Sequence, residues 1–106
     1  MVCGGDKAFV TSEAVPATEE DIRAVHTAMH VMHVREKGLY EISALAAGGA
    51  VQAAEIGLSE PCFGLIRPPG HHASAERSWG FCYFNNMAVA LTALKRRKRI
   101  KTAFVL

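Results

Sequence analysis

The run Arg67, Pro68, Pro69, Gly70, His71, His72, Ala73, followed after a short gap by Gly80, Phe81, Cys82, Tyr83, Phe84, Asn85 and Asn86, constrains this chain more than any other part of it. Two prolines fix φ and remove two backbone donors, and the glycine after them reaches conformations closed to other residues. Such a run continues neither a helix nor a central strand, so it is a loop, and it carries two adjacent imidazoles. Neighbouring side chains diverge from an extended backbone. In a turn anchored by Pro68, Pro69 and Gly70 they can instead converge on one small volume. Two imidazoles so placed suit proton transfer, one moving the proton while the other tunes it or bonds a substrate. Phe81, Tyr83 and Phe84 can wall a narrow slot, and Gly80 lets the backbone approach a ligand closely. The competing reading makes the aromatics core and the histidines loop hydrogen-bonders. On chemistry alone both readings stand.

The flanks of this loop predict an α/β unit. Residues 63–66 are short, apolar and not alternating, as in a strand buried on both faces. Asn85 or Asn86 can cap the helix that follows, with Met87, Ala90, Leu91 and Leu94 as its apolar face. Residues 102–106 read as another buried strand. Strand, loop, helix, strand predicts a βαβ unit with parallel strands and a right-handed crossover. The histidine loop then leaves the carboxyl end of the first strand, where open parallel sheets bind ligands.

Two further helices precede this unit, making three with flanking parallel strands. Thr18 followed by Glu19, Glu20 and Asp21 is a helix start, with acids against the positive end of the dipole. Ile22, Val25, Met29 and Met32 then recur at the spacing of one helical face, and the helix is expected to run to Lys37 and stop at Gly38. His26, His30 and His33 share a second face, at a spacing that can bring two imidazoles to one zinc ion. With no Glu between His26 and His30 and no fourth ligand in view, a polar flank beside the apolar stripe is the preferred reading. Residues 43–56 are apolar nearly all round, so that helix is a buried one. Gly48 and Gly49 weaken it, and close approach of a neighbouring element explains them. Residues 1–16 are weakly patterned apart from a short extended piece at Ala8, Phe9 and Val10, leaving residues 17–106 as the domain.

Composition sets limits on partners and compartment. A chain of 106 residues, half of them hydrophobic, makes one small globular domain. A net charge of +2 argues for neither nucleic acid nor an acidic membrane, and the basic run at residues 95–101 reads as a solvated last turn complementing the helix dipole. No apolar run approaches the ~20 residues of a membrane span. Met1 to Gly5 lacks the basic start and apolar run of a signal peptide. Cys3, Cys62 and Cys82 show no paired spacing, so a cytoplasmic protein with free thiols is expected.

The two motif halves together resemble the signature of the zinc-dependent histone deacetylase superfamily, which includes acetylpolyamine amidohydrolases and acetoin-utilisation proteins. Residues 17–21 with Val25 and His26, and the helix around Ala47, Gly48 and Gly49, look like the segments that precede that signature. The resemblance covers about residues 17–106. It implies an arginase-like α/β fold and hydrolysis of acetyl-amide bonds, in acetylated lysine or amine substrates, by a zinc-activated water. By this resemblance His72 is the general base and then the acid for the leaving amine, and His71 is its partner. Phe81 lines the acyl-lysine channel, and Gly80 offers its backbone to the substrate.

The family's zinc ligands (an Asp and a His after the next strand, and a later Asp), its transition-state tyrosine and the carboxylates that orient both histidines all lie downstream of the matching region. The stretch from Tyr40 to Ser43 also lacks the acidic loop that family members carry at the substrate rim. The chain is therefore expected to be the amino-terminal part of such an enzyme, with no zinc ligands of its own and little activity alone. The alternative is a non-catalytic binding or assembly module. Few helices over apolar strands with an open edge further predict self-association.

Overall fold

The computed structural model describes Val2–Gly4 and residues 9–106; Ala8 of the expected extended piece, and Met1 and Gly5 of the amino-terminal reading, lie outside the described residues. The elements in order are β1 (Val2–Gly4), β2 (Phe9–Thr11), α1 (Glu19–Arg23), α2 (Ala28–Glu36), α3 (Tyr40–Gly57), β3 (Cys62–Phe63) and α4 (Asn86–Arg96). This is an α/β chain dominated by helix packing. Its core has two centres. Ile22, Val31, Val34 and Ala44 close around Phe84, which comes from the motif itself. Ala47 and Val51 of α3 meet Val89, Ala90 and Ala93 of α4, where small side chains let the two helices approach closely.

The expected first helix is two helices. Thr18 caps α1, its Oγ1 accepting the Asp21 N–H at 3.1 Å. The chain then bends, and Thr27 starts again by accepting the His30 N–H at 3.2 Å. The backbone N–H of Thr27 donates out of the helix to the Ala75 carbonyl of the motif loop at 3.0 Å. A threonine that can cap competes with helix continuation, and the loop supplies the partner that decides the contest. The break rotates the register. Met29 and Met32 face solvent, while His26, His30, Val31 and Val34 are buried. The stop at Gly38 is as expected, with φ at +73° in the left-handed region.

The parallel βαβ unit is not what the described residues form. β3 is two residues long and pairs antiparallel with β1, which pairs antiparallel with β2, in the order β2-β1-β3. Residues 102–106 are in no strand, and Phe104, Val105 and Leu106 are exposed. A parallel strand buried on both faces needs cover on both. Here α3 and α4 pack on each other, α3 contacts β3, and Phe63 and Leu65 are open to solvent. The amino-terminal segment, read as weakly patterned apart from an extended piece that overlaps β2, supplies the pairing strand β1.

Two sequence readings gain a structural cause. Gly48 is where the segment before α1 crosses α3: the Ala17 N–H donates to Ala44 O at 2.8 Å, and a Cβ on Gly48 would lie 1.8 Å from Val15 O. In the basic run, Arg96 and Arg97 both donate to the buried Asp21 carboxylate, at 3.3 and 2.6 Å, and Arg99 pairs with Glu55. These cations tie the end of α4 to α1 and α3. Gly48→Ala is expected to lower stability by about 1–3 kcal/mol or more in urea unfolding, because the obstacle is backbone. Gly57→Ala, where an added methyl meets nothing within 4 Å, is expected to be neutral or stabilising by up to about 1 kcal/mol.

Candidate active site

The histidine loop is clamped to the amino-terminal end of α4. Gly70 is buried there, and a Cβ on it would lie 2.4 Å from both Asn86 N and Phe84 O, so only glycine permits the approach. Asn86 Nδ2 donates to Pro68 O at 3.1 Å on the entering side of the loop. Asn85 Nδ2 donates to Ala73 O at 3.0 Å on the leaving side. The same Asn85 caps α4, its Oδ1 accepting the Ala88 N–H at 3.0 Å. The Arg67-Pro68 peptide is cis. Between the clamps, the Ala73 N–H donates to Gly70 O at 3.1 Å and closes a tight turn with His71 and His72 at its centre. Both side chains are exposed, with ring centroids 4.2 Å apart and planes at 48°. The turn thus brings the two imidazoles together, as the loop chemistry required.

A second, smaller turn faces His72. Trp79 and Cys82 exchange backbone hydrogen bonds of 3.1 and 2.9 Å across Gly80 and Phe81, whose φ angles are +57° and +62°. Positive φ at both central residues is the signature of a type I′ hairpin turn. Glycine takes this conformation freely, whereas a phenylalanine there costs roughly 1–2 kcal/mol. The strained Phe81 carries its ring outward, 79% exposed. It borders a shallow depression of about 380 Å³ shared with Leu39, Ile42, Pro68 and Tyr83. Trp79 meets the edge of His72 at 4.4 Å between centroids, and a Cβ on Gly80 would come within 2.8 Å of His72 Cδ2. His72 is therefore seated against His71, Trp79 and the Gly80 backbone. On the far side, His71 borders an apolar groove of about 520 Å³ lined by Ile66, Pro69, Met87, Ala90 and Leu91.

Other expected site residues fall elsewhere. Phe84 is core and not wall, packed on His26, His30 and Tyr40. Tyr83 is partly buried against the same cluster. Trp79, singled out only as part of the motif, takes the place beside His72. His26 and His30 are no polar flank: they are 2% and 3% exposed, with rings 4.8 Å apart. His30 Nε2 donates to Tyr83 O at 2.6 Å, and His33 points to solvent. His26 Nε2 accepts the Asn85 N–H at 3.0 Å, which places the ring proton on Nδ1, facing Ala75 O at 3.3 Å. Burial, and the neighbouring His30, hold the His26 pKa below the ordinary imidazole value. Among the described residues no three His, Cys, Asp or Glu side chains gather as a metal-ligand set. The i, i+4 spacing of His26 and His30 was visible in the sequence. That their partners are carbonyls and an amide of the motif, about fifty residues on, was not.

Comparison with known proteins shows which family carries these motif turns. The histone deacetylase domain model matches residues 33–106, and the chain belongs to that family. A probable deacetylase of Archaeoglobus fulgidus is 36% identical over 84% of the chain, and a histone deacetylase-like amidohydrolase of Pseudomonas aeruginosa 34% identical over 88%. The crystal structure of the HDA15 HD domain superposes with a TM-score of 0.72 at 32% identity, covering 82% of the chain. The chain spans 30% of the length of each of these three relatives.

The left-handed Phe81 yields a measurable consequence. Phe81→Gly relieves the backbone cost and exposes less apolar surface, so it is expected to raise unfolding stability by about 1 kcal/mol. Thermal or urea denaturation showing equal or greater loss than Phe81→Ala would contradict the strain.

Proposed function

We propose that this chain supplies the acid–base and substrate-positioning part of a deacetylase site acting on acetyl-amide bonds of the acetyl-lysine or acetylpolyamine kind. The observation that carries the proposal is the exposed His71 and His72 pair, with rings 4.2 Å apart, beside the outward-held Phe81. His72, bounded by Trp79 and Gly80, is the general base and later the acid that protonates the leaving amine. His71 is its partner, sharing charge and orienting the attacking water. Phe81 walls the channel for the acyl-lysine stem, and the Gly80 backbone meets the substrate. In a complete family enzyme a zinc ion would supply the activated water. The described residues do not fit it, since no ligand set forms among them, and the part assigned to this chain is proton transfer and positioning. The arginase-like parallel sheet belongs, in this reading, to the complete domain.

Two assays test this. The purified chain with added zinc is expected to show no turnover of acetyl-lysine peptides or acetylpolyamines above background; rates near those of the relatives would overturn the division of labour. Residues 17–106 grafted in place of the matching segment of the Archaeoglobus relative are expected to restore activity. His72→Ala in that chimera is expected to remove about 10²–10⁴-fold of kcat. A folded but inactive chimera would favour the non-catalytic assembly module.

The partner we propose for the isolated chain is a second copy of itself. Phe63 and Leu65 lie exposed on the β3 segment, an edge strand of the sheet, and Phe104, Val105 and Leu106 are also exposed. An apolar edge of this kind invites pairing with a like strand. Light scattering at micromolar concentration is expected to show a dimer or larger species, shifted toward monomer by Leu65→Lys with Phe104→Lys. A monomeric wild-type chain would refute it.

A further inference from the structure

His26 sits in the bend between α1 and α2 and reaches both the segment just after the histidine pair and the start of α4. Its Nε2 accepts the backbone N–H of Asn85, and its Nδ1–H faces the carbonyl of Ala75. Asn85 in turn holds Ala73 O, the first backbone group after the histidine pair, and caps α4. Thr27, the next residue along, donates its own N–H to Ala75 O. One ring, 2% exposed, thus connects the α1–α2 bend, the downstream end of the loop and the start of α4.

We propose that His26 is a positioning residue for the His71 and His72 pair, holding the loop to α4 as a neutral ring and releasing it when Nε2 takes a proton. The inference rests on the acid–base role of the pair given above. The chemistry is a donor–acceptor reversal: a protonated Nε2–H opposes the Asn85 N–H, and that bond cannot form. The surroundings give the imidazolium little support. From α2 the ring faces His30, whose charge repels it, and from the motif it faces the apolar Phe84 ring at 5.3 Å. Only the loop carbonyls at Ser74 and Ala75 favour the charged form. No carboxylate pairs with His26 among the described residues.

The direction with pH follows from linkage. In the closed loop the His26 pKa is depressed by burial and by His30. An opened loop returns it to about 6.5. Above that value both states are neutral and the clamp is at full strength. Below it the open state gains a proton that the closed state refuses, so closure weakens until the depressed value is reached.

Amide hydrogen exchange and NMR on the 106-residue chain test this without any assay of turnover, so an inactive chimera leaves the outcome untouched. The expected result is an Nδ1–H tautomer at His26 and an opening constant at the Asn85 amide that rises up to about tenfold per pH unit below about 6.5. In His26→Gln, whose Oε1 can still accept the Asn85 N–H but does not titrate, that slope is expected to vanish while protection at pH 7.5 stays within about threefold. In His26→Phe, which keeps the packing on Phe84, Asn85 is expected to exchange at least tenfold faster. The ring-current shift of Trp79, the single tryptophan, on His72 is expected to collapse there, while amides at the α3–α4 interface hold their protection. An unchanged pH slope in His26→Gln overturns the proposal, and that variant decides alone if His26→Phe does not fold. A His72 to Trp79 contact that survives loss of Asn85 protection also overturns it.

Discussion

The amino-terminal end of α4 is the junction on which the remainder of this molecule depends. A helix start leaves backbone N–H groups without helical partners, and something must satisfy them. Here Asn85 does so for Ala88 with its side-chain oxygen and uses its amide to hold Ala73 O. Asn86 reaches Pro68 O, and His26 takes the Asn85 N–H. Gly70 is pressed against the same backbone with no room for a side chain. One helix terminus therefore orders the histidine loop on both sides. It also explains why Phe84, immediately before the cap, is buried at the centre of the larger core cluster. The core anchors the cap, and the cap anchors the loop.

The site shows how local cost is tolerated where neighbours over-determine a conformation. Phe81 is held left-handed because Trp79 and Cys82 close the turn around it, and Cys82 is buried beneath. A glycine at that position would be more comfortable and would present no ring. His26 and His30 show the complementary behaviour. They are buried polar groups whose burial is offset by backbone partners, on both ring nitrogens of His26 and on Nε2 of His30. These buried rings bond to the motif backbone, while the His71 and His72 pair is exposed.

Much of the site was legible before any coordinates. Two prolines, a glycine and adjacent histidines dictate a turn, and a turn brings imidazoles together. The start at Thr18, the stop at Gly38, the cap at Asn85 and the close approach at Gly48 are local stereochemical demands, and each is present. The break at Thr27 was not legible, because the helical alternative satisfies the same residues until the Ala75 carbonyl arrives from elsewhere in the chain. The sheet was not legible either: parallel strands were expected, and β3 pairs antiparallel with β1. A short apolar run states that it wants burial, not which strand it pairs with or in which direction.

The sequence by itself determined the loop, its histidines and the family, because those rest on residue types whose backbone and side-chain chemistry leave few choices. The tertiary structure alone decided which aromatics are core and which are exposed. It set Phe84 inward and Phe81 and Trp79 outward, and it turned His26 from a surface candidate into a buried link between two helices and the motif. The physical reason is range. Turn, cap and glycine requirements act over three or four residues, whereas burial and hydrogen-bond partnership are settled only when segments distant in the chain compete for the same space.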